Sequence, residues 1–189
     1  MKPATILTVG LLSIGIARIA DAQALPELPK PTDEHKWLKK FVGHWEMTSK
    51  GVMGEGQPPV ETKGTIKSEM LGGFWVVNTM TGDVAGMKFK GMQTVGYDTK
   101  KKKYVGTWVD SMNNYLWKYQ GTVDKSGKKL VLEADGPDMV VPNKTTKYRD
   151  AYEFKSGDEM LVTSSMQKPD GKWMTFMTGT AKRKKSKQR

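Results

Sequence analysis

The sequence of 189 residues contains no cysteine and only two histidines, His35 and His44. The absence of cysteine excludes disulfide frameworks, cysteine-based zinc sites, cysteine nucleophiles and lipid attachment at an N-terminal cysteine. Two histidines are too few for a multi-histidine metal centre, and neither falls on a face predicted to be interior. No Ser-His-Asp spacing or glycine-rich phosphate loop is present, so the sequence predicts no metal and no bound cofactor.

Long apolar runs are also absent, except for one at the N-terminus from Ile6 to Ile19. Lys2 precedes this run, and the small-x-small sequences Ala20-Asp21-Ala22 and Ala22-Gln23-Ala24 follow it. The run is too short to span a bilayer of about 30 Å comfortably. We therefore predict a signal peptide over residues 1–24 and export to the periplasm or the medium, with an uncleaved anchor as the alternative. No transmembrane segment is predicted.

The chain carries a formal net charge of +11, much of it in the tail KRKKSKQR at residues 182–189. We assign residues 183–189 to a basic, disordered tail and residues 25–32 to an extended proline-rich leader. Such a tail predicts weak contact with anionic surfaces such as lipid headgroups. No aromatic residue interleaves with its charges and no nucleic-acid-binding motif is present, so no specific nucleic-acid partner is expected.

The segment between leader and tail, residues 33–182, is predicted to be one β-barrel domain. Thr32 or Asp33 caps a short N-terminal helix that Gly43 ends, and beyond it the apolar pattern alternates with a period of two. Short turns and no further helix favour an antiparallel all-β meander, either a closed up-and-down barrel or a sandwich. The predicted strands are 44–50, 60–70, 73–80, 91–97, 103–111, 115–122, 128–135, 146–155, 159–166 and 172–182.

Alternation places two carboxylates on faces that are otherwise rich in aromatic residues. Because an unpaired buried charge is costly, these faces resemble the lining of a hydrated barrel interior more than a simple core. In each strand, the residues that share the carboxylate's face are separated by one position. The sets are Tyr104, Gly106, Trp108 and Asp110 in one strand, and Tyr148, Asp150, Tyr152 and Phe154 in another; Tyr115, Trp117 and Tyr119 form a third, purely aromatic set.

Several stretches of the sequence resemble a known bacterial family. FVGHWEM, with a Gly-x-Trp at Gly43 and Trp45, is similar to the opening of lipocalins and other calycin barrels. LGGFWVV, GMKFKGMQTVGYDTKKKKYVGTWVDSM, GTVD and TGTAKRK together resemble the domain-of-unknown-function 1579 family over residues 33–184. The resemblance implies a calycin-like barrel in which Trp45 closes the bottom, and it brings no catalytic residues. Lipocalins place an arginine of the last strand against this tryptophan; the late candidate, Arg183, is assigned here to the tail.

The leading functional hypothesis is a binding protein that holds a small, partly apolar ligand in the barrel. Asp110 would orient the ligand at the cavity mouth beside Trp108 and Tyr97. The alternatives are an enzyme that uses Asp110 and Asp150 as an acid–base pair, and a structural envelope protein with a filled barrel and a basic tail. In the simplest interpretation, the aromatic stripes are core and the carboxylates reach solvent or pair with lysine. The predicted ligand-binding residues are Tyr97, Trp108, Asp110, Tyr115, Trp117, Asp150 and Tyr152.

Overall fold

The structure, a computed structural model, describes residues 27–52, 58–139 and 141–185. The chain divides after Lys30 into two units, and the barrel belongs to the second, Pro31–Arg189. The predicted signal peptide lies outside the described residues, as does most of the basic tail, so export and contact with anionic surfaces stay predictions. Within the described ranges, no helix is long and apolar enough to cross a bilayer.

The N-terminal helix begins where its capping residue predicts. Helix α1 spans Asp33–Trp37, with Thr32 as its N-cap, and continues as a 3₁₀ turn over Leu38–Phe41. The backbone N–H of Thr32 donates to Nδ1 of His35 at 3.0 Å, which helps to fix the first turn. Leu38 and Phe41 are buried, so the short helix acts as a lid on one end of the barrel.

In the described part of the chain, ten antiparallel strands follow the helix, in the positions that the alternating pattern predicts. Each strand is hydrogen-bonded to its neighbours in sequence, and β1 pairs with β10, so the sheet closes into an up-and-down barrel rather than a sandwich. The strands are β1 Gly43–Gly51, β2 Val60–Leu71, β3 Trp75–Val84, β4 Met87–Asp98, β5 Lys103–Asp110, β6 Trp117–Val123, β7 Lys129–Pro137, β8 Thr145–Phe154, β9 Glu159–Gln167 and β10 Trp173–Arg183.

The largest departure from the predicted strands is the β3–β4 hairpin, which is longer than expected. The sequence assigned residues 81–90 to a connection, whereas the two strands continue to a two-residue turn at Ala85 and Gly86. Both turn residues have positive φ, 52° and 84°, as a tight hairpin turn requires. Alanine rarely adopts this conformation, so the Ala85-Gly86 sequence is not a strong signal for a turn.

The end of the barrel under the helix is filled by side chains. Phe41 packs edge-on against Phe154 and Tyr152, with ring centroids 5.0 and 5.4 Å apart. Trp45 is 1% exposed and its indole N–H donates to the carbonyl of Phe41 at 2.7 Å. Trp37 covers Tyr104 from the helix side. This end is the closed end, and Trp45 plugs it as the sequence resemblance implied.

The assignment of Arg183 to a disordered tail needs correction. Arg183 is the last residue of β10, where it pairs with Trp45 of β1. Its guanidinium lies over the indole of Trp45, with Cζ 4.0 Å from the ring centroid. It also donates to the carbonyls of Val42, Lys40 and Gly157. The guanidinium binds one aromatic ring and three carbonyl acceptors, and these contacts hold Arg183 in the strand. The strand therefore extends one residue beyond the end that its basic composition predicted.

Candidate functional site

The half of the barrel away from the helix encloses a cavity of about 360 Å³. Cavities that hold small molecules range from about 300 to 1,000 Å³, so this one has the size of a ligand site. Its wall is mainly apolar, and methionines contribute adaptable surface from several strands and loops. The methionines that line it are Met47, Met80, Met112, Met139 and Met177.

Glycines keep the cavity open by letting two tryptophans lie flat against the wall. A Cβ at Gly91 would lie 2.4 Å from Cη2 of Trp108, and one at Gly136 would lie 2.1 Å from Cζ3 of Trp117. Both distances are far below contact distance, so only glycine permits these ring positions. Phe89 stacks on Trp108 with centroids 6.1 Å apart, which extends the aromatic surface along the wall.

The wall is incomplete between β6 and β7, near the open end. The β6–β7 ladder ends at Gln120 and Glu133, whereas β7 continues to pair with β8 as far as Pro137. The Trp117 ring covers Gly136 beside this gap and packs edge-on against Tyr148 at 4.7 Å. An aromatic side chain rather than a backbone ladder therefore closes the wall at this point.

Asp110 is a structural residue at the mouth of the cavity. Its Oδ2 accepts hydrogen bonds from Nε1 of Trp108 and Nδ2 of Asn113, both at 2.7 Å. Its Oδ1 accepts from the backbone N–H groups of Met112, at 2.8 Å, and Asn113, at 3.1 Å. With four donors, the carboxylate holds the indole of Trp108 in place and organises the start of the loop after β5.

Asp150 lies deeper and in a different environment. It is only half-buried because its side chain borders the cavity, yet the barrel wall surrounds it. Oδ2 accepts from the phenol of Tyr119 at 2.5 Å, and Oδ1 accepts from the hydroxyl of Ser164 at 2.6 Å. Burial raises the pKa of the Asp150 carboxyl, and the two hydroxyl donors oppose this rise.

The Tyr119 phenol responds to the same environment. Burial raises its pKa above the usual range, and the charge of Asp150 beside it acts in the same direction. Tyr119 therefore remains a neutral donor. Since Ser164 is neutral too, both contacts of Asp150 come from hydroxyl groups, and no described lysine or arginine forms an ion pair with it.

A second polar chain lies below Asp150 and was not anticipated from the sequence. Asn78 donates through Nδ2 to Oε1 of Gln93 at 2.9 Å, and Gln93 donates through Nε2 to the hydroxyl of Tyr152 at 2.7 Å. Asn78 and Gln93 are almost fully buried. Both are polar residues at inward positions of otherwise apolar strand faces, and this signal could have identified them.

The structure brings five of the seven predicted residues to the cavity, namely Trp108, Asp110, Trp117, Asp150 and Tyr152. Tyr97 points inward but lies at the closed end, where it packs on His35 and Tyr104. Tyr115 precedes β6 and lies at the surface, where its hydroxyl donates to the carbonyl of Asp135 at 3.2 Å. The placement of Tyr97 beside Asp110 was therefore wrong.

The histidines lie away from the cavity wall. His44 is exposed on β1, as expected. His35 belongs to α1 and is buried, with its ring packed edge-on against Phe74 and Tyr97. Among the described residues, no three histidine, aspartate or glutamate side chains cluster as metal ligands do.

Comparison with known proteins agrees with the barrel and confirms the family that the sequence resembles. A family model described as "Protein of unknown function (DUF1579)" matches residues 30–183. No curated protein sequence matches the chain.

The solved structures that are similar in fold include the following two. The structure of Rv2717c from M. tuberculosis has a TM-score of 0.62 at 13% identity, over 82% of this chain and 100% of that one. The S-type phycobiliprotein lyase CPES from Guillardia theta has a TM-score of 0.55 at 15% identity, over 80% of this chain and 93% of that one. At these identities the likeness concerns the fold alone.

Proposed function

The chain belongs to the DUF1579 family, and we propose that it is a binding protein that holds a small, largely apolar molecule in the open half of its barrel. The observation that carries this proposal is the cavity of about 360 Å³. A mainly apolar wall with a few convergent polar groups is the usual composition of a small-molecule site. Here the polar groups include Asp110, Asp150, Tyr119 and Ser164.

The room inside this half of the barrel supports binding over a purely structural role. A barrel of this size can be filled by its own side chains, as the closed end is here. In the open half, Gly64 and Gly82 face each other on β2 and β3, and Gly91 and Gly136 lie beneath tryptophan rings. Glycine contributes no side chain to packing, so four such positions favour an unfilled interior.

The contacts of the two carboxylates favour binding over acid–base catalysis. Asp110 uses its four hydrogen bonds to hold Trp108 and the loop after β5. Asp150 takes its donors from Tyr119 and Ser164, on other strands. An acid–base pair needs two groups that share a reacting centre, whereas each of these carboxylates has its own separate set of partners.

The test is a matched pair of tryptophan substitutions on neighbouring residues of β2. Thr62 faces the cavity and Lys63 faces outward. We expect Thr62→Trp to reduce binding of 1-naphthalenemethanol at least tenfold, because the new ring occupies the cavity, while Lys63→Trp leaves binding unchanged. Isothermal titration calorimetry measures both. Equal affinities in the two variants, or no binding to the unmodified protein, would refute the proposal.

We also propose that the protein is exported, from the segment at residues 1–24 that has the pattern of a signal peptide. Mass spectrometry of the protein recovered from its own cells tests this directly. Export predicts a mature N-terminus near Gln23 or Leu25 in the extracytoplasmic fraction, whereas a full-length chain in the cytoplasm contradicts it.

A further inference from the structure

The charge inside the cavity is opposite in sign to that of the chain. The protein has 31 lysines and arginines against 20 acidic residues. Yet the described residues that line the cavity include two carboxylates, Asp110 and Asp150, and no lysine or arginine. The described basic side chains lie elsewhere, so a ligand in this cavity meets a negative field at short range.

The two carboxylates are not equivalent for a ligand. Asp110 already accepts four hydrogen bonds, one of them from the indole of Trp108 and three from the loop after β5. Asp150 accepts two, one on each oxygen, and both come from neutral hydroxyl groups. A carboxylate oxygen can accept a further hydrogen bond, so Asp150 retains acceptor capacity beside the cavity.

Aromatic rings on several strands add a second feature that suits a cation. Trp108 and Trp117 lie flat against the wall over glycines, and Phe89, Tyr148 and Phe176 also line the cavity. Ring faces attract organic cations, most strongly where water is excluded. A carboxylate with rings around it is the combination that recognises an ammonium group attached to an apolar body.

From these two features we propose that the cavity selects organic cations, namely apolar molecules that carry a protonated amine, with the ammonium group donating to Asp150. This inference rests on the proposed binding function and deepens it by naming the ligand class. Burial of an unpaired carboxylate is unfavourable. The two hydroxyl donors are neutral and do not balance the negative charge of the carboxylate. A cationic ligand removes that cost, because its positive charge lies beside Asp150.

The test uses three probes that share one apolar body and differ in charge: 1-naphthylmethylamine, 1-naphthalenemethanol and 1-naphthoic acid. At pH 7 they carry a positive, a neutral and a negative group. A charge-assisted hydrogen bond contributes about 1.5–3 kcal/mol, which corresponds to a preference of about ten- to a hundredfold. We expect calorimetry on the full chain to give the amine the highest affinity and the acid the lowest.

The variant Asp150→Asn identifies the responsible group, and Asp135→Asn is its matched control. Asp135 lies exposed on β7, where its carboxylate pairs with Lys147. We expect Asp150→Asn to abolish the preference for the amine over the alcohol. The same substitution at Asp135 should leave the preference intact. Far-ultraviolet circular dichroism checks that each variant has the strand content of the unmodified protein.

Each outcome separates the two proposals. If all three probes bind with equal affinity, the cavity binds apolar molecules and the inference about cations is wrong. If the preference persists in Asp150→Asn, another group creates it and the assignment to Asp150 is wrong. If none of the probes binds, both the binding function and the ligand class are refuted.

A pH titration of the unmodified protein serves if Asp150→Asn fails to fold. The groups that face Asp150 are Tyr119 on β6, Tyr152 on β8 and Ser164 on β9, and Asp110 acts on Tyr119 from β5. Because burial raises the pKa of Asp150 above its ordinary value of 3.8, acidification protonates its carboxylate at a higher pH than that value. The ratio of amine to alcohol affinity should therefore fall between pH 8 and pH 4. A constant ratio would overturn the proposal.

Discussion

The guanidinium of Arg183 lies over the indole of Trp45, with Cζ 4.0 Å from the ring centroid, and joins the last strand of the barrel to the first. The same arginine donates to the carbonyls of Lys40, Val42 and Gly157, and so also fixes the end of the 3₁₀ turn. The closed end is therefore held by one cation that contacts the helix segment, both closing strands and a turn. Rigid closure at this end leaves the opposite end available for a ligand.

The first prediction concerns the stability of this closure. Arg183→Ala removes a cation–π contact and three hydrogen bonds to carbonyls, and we expect the free energy of unfolding to fall by about 2 kcal/mol. Arg183→Lys keeps the charge but loses the forked donor geometry of the guanidinium. We expect it to lower the free energy of unfolding by about half as much as Arg183→Ala does. Urea denaturation measures both values. The control is Lys182→Ala, at an exposed neighbouring position, and an equal effect there would contradict the assignment.

The second prediction concerns Asp110 as the residue that positions Trp108. Asp110→Ala removes the acceptor 2.7 Å from the indole nitrogen, so the indole N–H resonance should move upfield in a proton–nitrogen correlation spectrum. The substitution also frees three donors in the following loop, and we expect a loss of about 1–2 kcal/mol in unfolding free energy. The resonance is assigned with Trp108→Phe. An unchanged indole shift would show that the contact is not made in solution.

The third prediction tests whether glycine beneath a tryptophan keeps the cavity open. In Gly136→Ala, the new methyl group lies 2.1 Å from Cζ3 of Trp117, so the ring must move toward the cavity. We expect 1-naphthalenemethanol to bind about tenfold more weakly, an effect of about 1.4 kcal/mol. The matched control is Gly96→Ala, where the methyl group meets Trp75 on the outer face at 2.4 Å.

Gly136→Ala and Gly96→Ala should destabilise the fold to a similar extent, by about 1–3 kcal/mol, because both introduce overpacking against an indole. They should differ in binding alone. Equal loss of binding in the two variants would mean that affinity follows general stability and not the space beside Trp117.

The fourth prediction follows from the raised pKa of Asp150. The folded protein holds a proton on this carboxyl more tightly than the unfolded chain does, so protonation favours the fold. The contribution of this group to stability therefore falls as the pH rises from the ordinary value of 3.8 through the raised value. We expect Asp150→Asn to have a higher Tm than the unmodified protein at pH 7, with a difference that narrows toward pH 4.

Calorimetric melting across this pH range measures the difference, with Asp135→Asn as the control on the outer wall. A stabilising effect of Asp150→Asn would mean that the protein retains an unfavourable charge in the cavity, as binding sites commonly do. A variant less stable than the unmodified protein at pH 7 and equal to it at pH 4 would contradict the account of Asp150.

Much of the fold could be predicted because the side chains alternate regularly. The strand positions, the inward faces of β5 and β8 and the helix start at Thr32 all follow from local pattern and capping. The hairpin turn at Ala85 and Gly86 could not be predicted in this way, because alanine is not a sequence signal for a turn with positive φ. Arg183 was missed because its basic neighbours resemble a solvated tail.

The candidate site was predicted less completely, for a geometric reason. Alternation tells which face of a strand points inward, but it does not tell how far along the barrel axis a residue lies. Tyr97 has the correct face and lies at the closed end, whereas Trp108 lies near the open end. The number of hydrogen bonds that Asp110 and Asp150 each accept depends on loop geometry and on three neighbouring strands. The local sequence pattern does not contain this information.

The most direct test of the central claim, that the open half of the barrel carries a ligand, is native mass spectrometry. The unmodified protein and Thr62→Trp are purified gently from the cells that make them. We predict extra mass on the unmodified protein that is lost on denaturation, and none on the variant with the filled cavity. If neither protein carries mass beyond that of its own polypeptide chain, and the naphthalene probes do not bind, the account is contradicted.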